Sequence, residues 1–249
     1  FDGNNWSTIK NGPSSGKVPS SDTRVVFDGN TGDNYNVTIS SAAEVFSLNS
    51  FGNQVLNLNL GQNELVVTNS LRINNQVTQV SNGSIRFESS SSNELLLEFG
   101  NTAFSEVSMS FNSGKWKVIS AEMLDEVNIL ASSVNFDMDV LSVNSLAITD
   151  QGSLGGSVSQ IVFSENFIIN GGAGLKSDLQ LKFSGSGLFK NDSQVAVDFL
   201  EINDGILSLA SGGVSNLKIQ KGTGTVNTSQ ISIATLELGP SAILDFAPS

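Results

Sequence analysis

An apolar motif that returns at intervals of roughly 18 residues limits what this chain can become. Leu146, Ile161, Leu181, Leu200, Leu217 and Leu236 each open a unit, and their spacing is uneven. A second apolar residue follows two positions later: Ile148, Phe163, Phe183, Ile202, Ile219 and Leu238. A third stands seven after the first at Ile168, Leu188, Leu207 and Ile243, and slips to Leu154 and Val226 in the remaining two units. The same frame occurs earlier, in Leu58, Leu60 and Leu65, in Trp116, Val118 and Met123, and in Val127, Ile129 and Val134. Alternation over a few residues is the period of a β-strand. A unit this small cannot bury its own apolar face and must stack on its neighbours.

The pattern predicts an all-β chain folded as a right-handed parallel β-helix. Gly, Asn, Asp and Ser cluster between the strands and suit corners. Left-handed β-helices keep a strict short period, whereas unit length drifts here. Residues 1–35 break the repeat and read as an N-terminal cap, with Trp6 packed over the first coil; residues 36–249 read as coils. About 18 residues per coil gives about 12 coils and, at about 4.8 Å each, a rod of about 57 Å. Only Ser120 to Val127 has helical composition, and it is too short to stand as a helix unaided. Tandem β-sandwiches are the alternative, because Asp204-Gly205 between alternating segments is a strong hairpin signal. Against them, the same frame returns over Ser184-Gly185-Ser186-Gly187 and Gly239-Pro240-Ser241-Ala242, which make poor hairpin turns but serviceable corners.

Composition narrows function by exclusion. The chain has neither Cys nor His, so thiol nucleophiles, disulfides, Ser-His-Asp triads and imidazole-based zinc sites are out of reach. Twenty-four acidic side chains against 12 basic ones give a net charge of −12, which disfavours nucleic acid, a polyanion. No apolar run is long enough for a transmembrane helix, so no membrane insertion is expected. Only 14% of residues are charged, against about 25% in an ordinary domain. A cysteine-free, acidic, Asn/Ser/Gly-rich chain fits a bacterial secreted or surface protein.

Carboxylates are therefore the available catalytic groups. Asp137 with Asp139, which alternation places on one strand face, and Glu94 with Glu98 could each serve as an acid–base pair on a polysaccharide. Acidic residues that only solvate an outward face give the same pattern, and no cofactor is expected. Asp28, Asn30 and Asp33, with Asn34, crowd one turn with hard oxygen ligands suited to Ca²⁺. They do not match a DxDxDG loop, and Asx-rich turns also arise because these side chains bond their own backbone. Asn203 and Asp204 form a similar pair. Trp116 and Tyr35 are the candidate sugar-stacking aromatics, while Phe163, Phe167, Phe183, Phe189 and Phe199 read as stacked core. Thr223 and Thr225 are one T-x-T pair, too few for an ice-binding ladder.

The order Trp6, a Gly/Ser-rich loop from Gly12 to Gly16, Val18-Pro19, Asp22, Val25-Val26-Phe27 and Val37-Thr38-Ile39 resembles the opening of secreted bacterial β-strand-repeat proteins. The following Leu-x-Ile units resemble autotransporter passenger domains and filamentous-haemagglutinin-like adhesins. The resemblance implies export to the cell surface or beyond and a non-enzymatic role as a stalk, adhesin segment or filament subunit. Expected partners are further copies stacked end to end, or a cell-surface glycan. The close at Phe246 to Ser249 suits a boundary inside a longer polypeptide as much as a natural end. A carbohydrate-binding or polysaccharide-cleaving β-helix module is the alternative.

Overall fold

Every strand pairing among the described residues of the computed structural model is parallel. These are residues 19–29, 34–121, 123–149, 151–193, 195–226 and 231–246; the side chains of residues 28, 29, 54 and 75–77 lie outside the description. Fourteen strands and no helix make up this part of the chain. They are β1 (Arg24–Gly29), β2 (Tyr35–Thr38), β3 (Ala43–Glu88), β4 (Glu94–Glu98), β5 (Thr102–Ser120), β6 (Leu124–Ile129) and β7 (Ser132–Phe136). The rest are β8 (Val140–Ile148), β9 (Ser153–Gly156), β10 (Gln160–Phe163), β11 (Asn166–Ile169), β12 (Gln180–Asn191), β13 (Val197–Val226) and β14 (Ile231–Phe246). The longest run through corners, so that β3 alone covers 46 residues.

Parallel pairing without crossover helices makes a β-solenoid of about 10 turns. Sandwiches are excluded because Asp204 and Gly205 do not reverse the chain. They pair in parallel with Ser184 and Gly185, and β13 runs on past them. The turn count falls below the expected 12 because most turns are longer than the anchors suggest. Val25 pairs with Leu48 and Leu71 with Leu97, both wide steps, while the step from Met109 to its partner Val127 is shorter. The first rung also starts earlier than the cap boundary at residue 35, since β1 and β2 both pair with β3. Trp6 lies outside the described residues. The stretch with helical composition, Ser120 to Val127, ends β5 and begins β6.

Interior columns hold the solenoid together. Leu141, Ile161, Leu181 and Leu200 stack in register, and Val143, Phe163, Phe183 and Ile202 beside them. Leu146, Phe167, Phe189 and Leu209 form another column. All twelve are buried. Leu146 thus belongs to a different column from the one expected, because the step from it to Ile161 is less than a turn and Leu141 fills the place. Ile168 and Leu188 face outward and are half-buried, with Phe167, Ile169 and Phe189 taking the interior. A slip of one residue exchanges the faces of a strand. Phe199 is half-buried, not core, and Met123 lies exposed at the corner before β6. Leu236 is exposed because β14 is the last described rung. Ring pairs reinforce the columns: Phe87 stacks on Phe111 at 4.8 Å, and Phe163 meets Phe183 at 5.1 Å.

Gly205 shows why corners are glycine-rich. Its φ is 97°, and a Cβ there would lie 1.8 Å from the carbonyl oxygen of Gly185 in the turn below. Only a residue without a side chain lets the backbones of successive turns approach this closely.

Candidate functional site

One outward column runs from Ser84 through Ser108 and Glu126 to Ser145, each paired with the next across β3, β5, β6 and β8. Asn166 of β11 extends it, its backbone N–H donating to Ser145 Oγ at 3.3 Å. Beside this column the surface is hollowed into two adjoining depressions of about 390 and 400 Å³, which meet at Asp125 and Glu126. Gln62, Asn82, Gly83 and Glu106 close the first; Asn128, Ala147, Glu165 and Ile168 line the second. Together they form a shallow polar groove across successive turns.

The corner above the groove bends through left-handed residues. Gln62, Asn82 and Glu106 have φ of 63°, 59° and 57°. The pairs Ser81–Ser105 and Gly83–Val107 set Asn82 beside Glu106 in adjacent turns. Asn tolerates this conformation; Gln and Glu adopt it at a cost of about 1–2 kcal/mol each. The strain is held by the ladders on either side.

Asp125 anchors the floor. Its Oδ2 accepts from the Val107 N–H at 3.1 Å and its Oδ1 from Asn144 Nδ2 at 2.7 Å, while Ser164 Oγ donates to Asn144 Oδ1 at 2.9 Å. Glu126 accepts from Asn128 Nδ2 at 3.1 Å, and Glu165 from Ser145 Oγ at 2.9 Å. Elsewhere acids pair with cations, mostly in adjacent turns: Asp137 with Lys117 at 3.0 Å, Glu237 with Lys218 at 3.0 Å, and Asp192 with Lys190 at 2.8 Å. Glu64 and Glu88 share Arg86. The groove acids Glu106, Asp125, Glu126 and Glu165 have no such cation among the described residues. The groove is thus a concave, acceptor-rich surface with unneutralised negative charge, able to take hydroxyl and N–H donors.

The expected site residues fall elsewhere. Asp137 and Asp139 are both exposed in the corner between β7 and β8. Hydrogen bonds from Lys117 and Ser157, with the Lys117 charge, hold the Asp137 carboxyl below its ordinary value, and Asp137 in turn holds the Lys117 ammonium above its own. A carboxyl so held stays ionised and cannot donate a proton near neutrality. Glu94 and Glu98 stand at the two ends of β4, and Glu94 accepts from Asn135 Nδ2 at 2.6 Å, two turns on. Of the calcium candidates, Asn30 and Asp33 lie outside the described residues, as does the side chain of Asp28. Asn34 is committed to the next turn, accepting from the Val55 N–H at 3.2 Å. Asp204 Oδ1 accepts from the backbone N–H of the following residue, Gly205, at 2.9 Å. No group of three or more Asp or Glu able to hold a metal occurs among the described residues.

Neither aromatic forms a sugar platform. Trp116 is fully buried against Phe87, and its indole N–H donates to the Ser113 carbonyl at 2.8 Å. Tyr35 is half-buried with its ring 5.7 Å from that of Phe27. Sequence reasoning misses the groove because Asp125, Asn144 and Ser164 are far apart along the chain, and only the stacking of turns joins them. The Asn82-Gly83 dipeptide is the one local signal, a sequence that favours left-handed backbone. No protein-family model, curated protein or solved structure matches the chain.

Proposed function

We propose that this chain is a non-enzymatic structural or adhesive segment of an extracellular or bacterial cell-surface protein, a rigid stalk or adhesin rod. The observation that carries the reading is the use of its outward polar side chains. Lys117–Asp137–Ser157, Lys190–Asp192–Ser211 and Lys182–Glu201–Gln220 each tie one turn to the next. Asp137, one of the carboxylates that the sequence offers for hydrolysis, is spent on this stapling. A uniform interior with a self-tied exterior makes a spacer. The test has two parts. Antibody against the chain should label intact, unpermeabilised source cells or their medium, and purified protein incubated with polysaccharides should release no new reducing ends. Release of reducing ends that is lost in Asp137→Asn would overturn the reading.

The groove favours a second reading, in which the rod binds a cell-surface glycan along Asp125, Glu126 and Glu165. Carboxylates that accept from neutral donors keep lone pairs free for sugar hydroxyls. Affinity electrophoresis in glycan-containing gels should then retard the protein, and Asp125→Asn with Glu126→Gln should abolish the retardation. Equal mobility with and without glycan refutes it.

A further inference from the structure

Asn-Gly steps occur in the chain at Asn11-Gly12, Asn82-Gly83 and Asn170-Gly171. The first lies outside the described residues. The other two share a dipeptide but not a setting. Asn82-Gly83 is embedded in the sheet: both residues belong to β3, and Gly83 pairs with Val107 of β5. A Cβ on Gly83 would lie 2.6 Å from both the Asn63 carbonyl oxygen and Leu60 Cβ, so the backbone there is closely walled. The Asn82 side-chain amide donates to Asn59 Oδ1 and to Ser81 Oγ, each at 3.4 Å.

Asn170-Gly171 is the reverse. It follows β11, outside any strand. The Ala173 N–H donates to the Asn170 carbonyl at 3.2 Å and closes a β-turn over Gly171 and Gly172. The φ of 84° at Gly172, third in this turn, is that of a type II turn. The Gly171 N–H donates to no acceptor among the described residues, and the Asn170 side-chain amide has no hydrogen-bond partner among them either. Gly171 is exposed, and a Cβ on it would meet only Asp192 O, at 3.5 Å. An unbonded backbone nitrogen, an unbonded amide and open space around both are the conditions for the two groups to react with each other.

We propose that Asn170-Gly171 is a site of spontaneous self-modification, where the chain converts its own amide to an aspartyl or isoaspartyl carboxylate with water as co-reactant. Gly171 N gives its proton to hydroxide and attacks Asn170 Cγ. The new N–Cγ bond closes a succinimide ring, and the Cγ–Nδ2 bond breaks to release ammonia. Water then opens the ring at either carbonyl. Breaking N–Cγ leaves an ordinary aspartate; breaking the bond from N to the Asn170 main-chain carbonyl carbon leaves isoaspartate, with the chain running through Cγ. Nothing is oxidised or reduced. Glycine is needed second because a side chain there would crowd the attacking nitrogen. The rod survives because ladders close on both sides of the corner. Ile169 pairs with Ile148 and Asn191, and the Gly174 N–H donates to Gly152 O at 2.9 Å. Each conversion adds one negative charge to the −12 of the chain. This chemistry goes beyond the structural reading above and does not depend on it.

Ageing the full chain tests it, in an Asn11→Gln background that silences the step outside the described residues. Held in mildly alkaline buffer and followed by peptide mass mapping, the peptide containing Asn170 should convert first. Its product should accept a methyl group from an isoaspartyl methyltransferase, and the intact chain should gain one negative charge on isoelectric focusing. The peptide containing Asn82 should keep its amide over the same interval. In urea the two should convert at similar rates, because the fold alone separates them. Asn170→Gln should abolish the charge shift, and Gly171→Ala, for which the corner has room, should slow it. Three results overturn the proposal: native Asn82 converting as fast as Asn170, an unchanged Asn170 peptide once the urea sample has converted, or a contrast that persists in urea. Should the variants fail to fold, the map of the unmodified chain decides, since trypsin leaves each Asn-Gly step in its own peptide.

Discussion

Leu200→Ala probes the interior columns at their middle. Leu200 is fully buried, paired with Leu181 in the turn below and followed two residues on by the buried Ile202. The substitution removes three carbons, about 2.4 kcal/mol at about 0.8 kcal/mol per buried methylene. The space left is walled by two ladders of backbone hydrogen bonds and collapses little, so a cavity term adds to this. The expected total is about 3–5 kcal/mol. The control is Asp198→Ala, two residues earlier on the exposed face, expected within about 0.5 kcal/mol of the parent. Glu201 is a poorer control: its side chain is only 12% exposed and accepts from Gln220 Nε2 at 2.7 Å, so Glu201→Ala should cost about 1 kcal/mol. Urea titrations followed by far-ultraviolet circular dichroism rank the three. Equal midpoints for Leu200→Ala and Asp198→Ala would refute the assignment of inside and outside.

Gly205→Ala should destabilise by about 2–3 kcal/mol, since its Cβ meets the Gly185 carbonyl at 1.8 Å and its φ is 97°. Gly171→Ala should be near neutral in the same thermal melt, its Cβ finding only Asp192 O at 3.5 Å. Asp137 and Asp192 are held below their ordinary value by hydrogen bonds, first from Lys117 and Lys190 and then from Ser157 and Ser211. Their contribution is therefore present above the unfolded carboxyl value of about 3.9 and lost as pH falls through the lower folded one. The double variant Asp137→Asn and Asp192→Asn should lose less stability than the parent between about pH 5 and pH 2.5, and parallel curves in urea would contradict the pairing. In a Trp6→Phe background Trp116 should emit in the blue and resist iodide quenching; ready quenching would place it at the surface.

Fold class is legible in the sequence because alternation is local, and the anchor frame picks out Ile161, Leu181, Leu200 and Leu217, all buried. Which anchors share a column is not. Parity tells which side of a strand a residue faces but not how many residues its corners consume. A turn takes fewer residues between Met109 and Val127 than between Leu71 and Leu97. The frame therefore matches Leu146 to Ile161, one column away from its true partner Phe167. Trp116 shows the converse. Its place in the frame with Val118 already says interior, and the Ser113 carbonyl three residues back satisfies the indole that makes it a candidate for surface contact. The groove is illegible for a third reason: its depth is a property of stacked turns, and no single segment of sequence contains it.

Because every ladder among the described residues is parallel, the backbone hydrogen bonds between turns point along the rod, and the described chain begins at one end and finishes at the other. A tether pulled at those two points loads its bonds one rung at a time, in the unzipping direction rather than in shear. Each rung that yields frees about 20 residues of chain, about 65 Å of extended length in place of about 5 Å of rod. Such a rod resists bending while acting as a shock absorber under tension, lengthening in repeated steps at modest force.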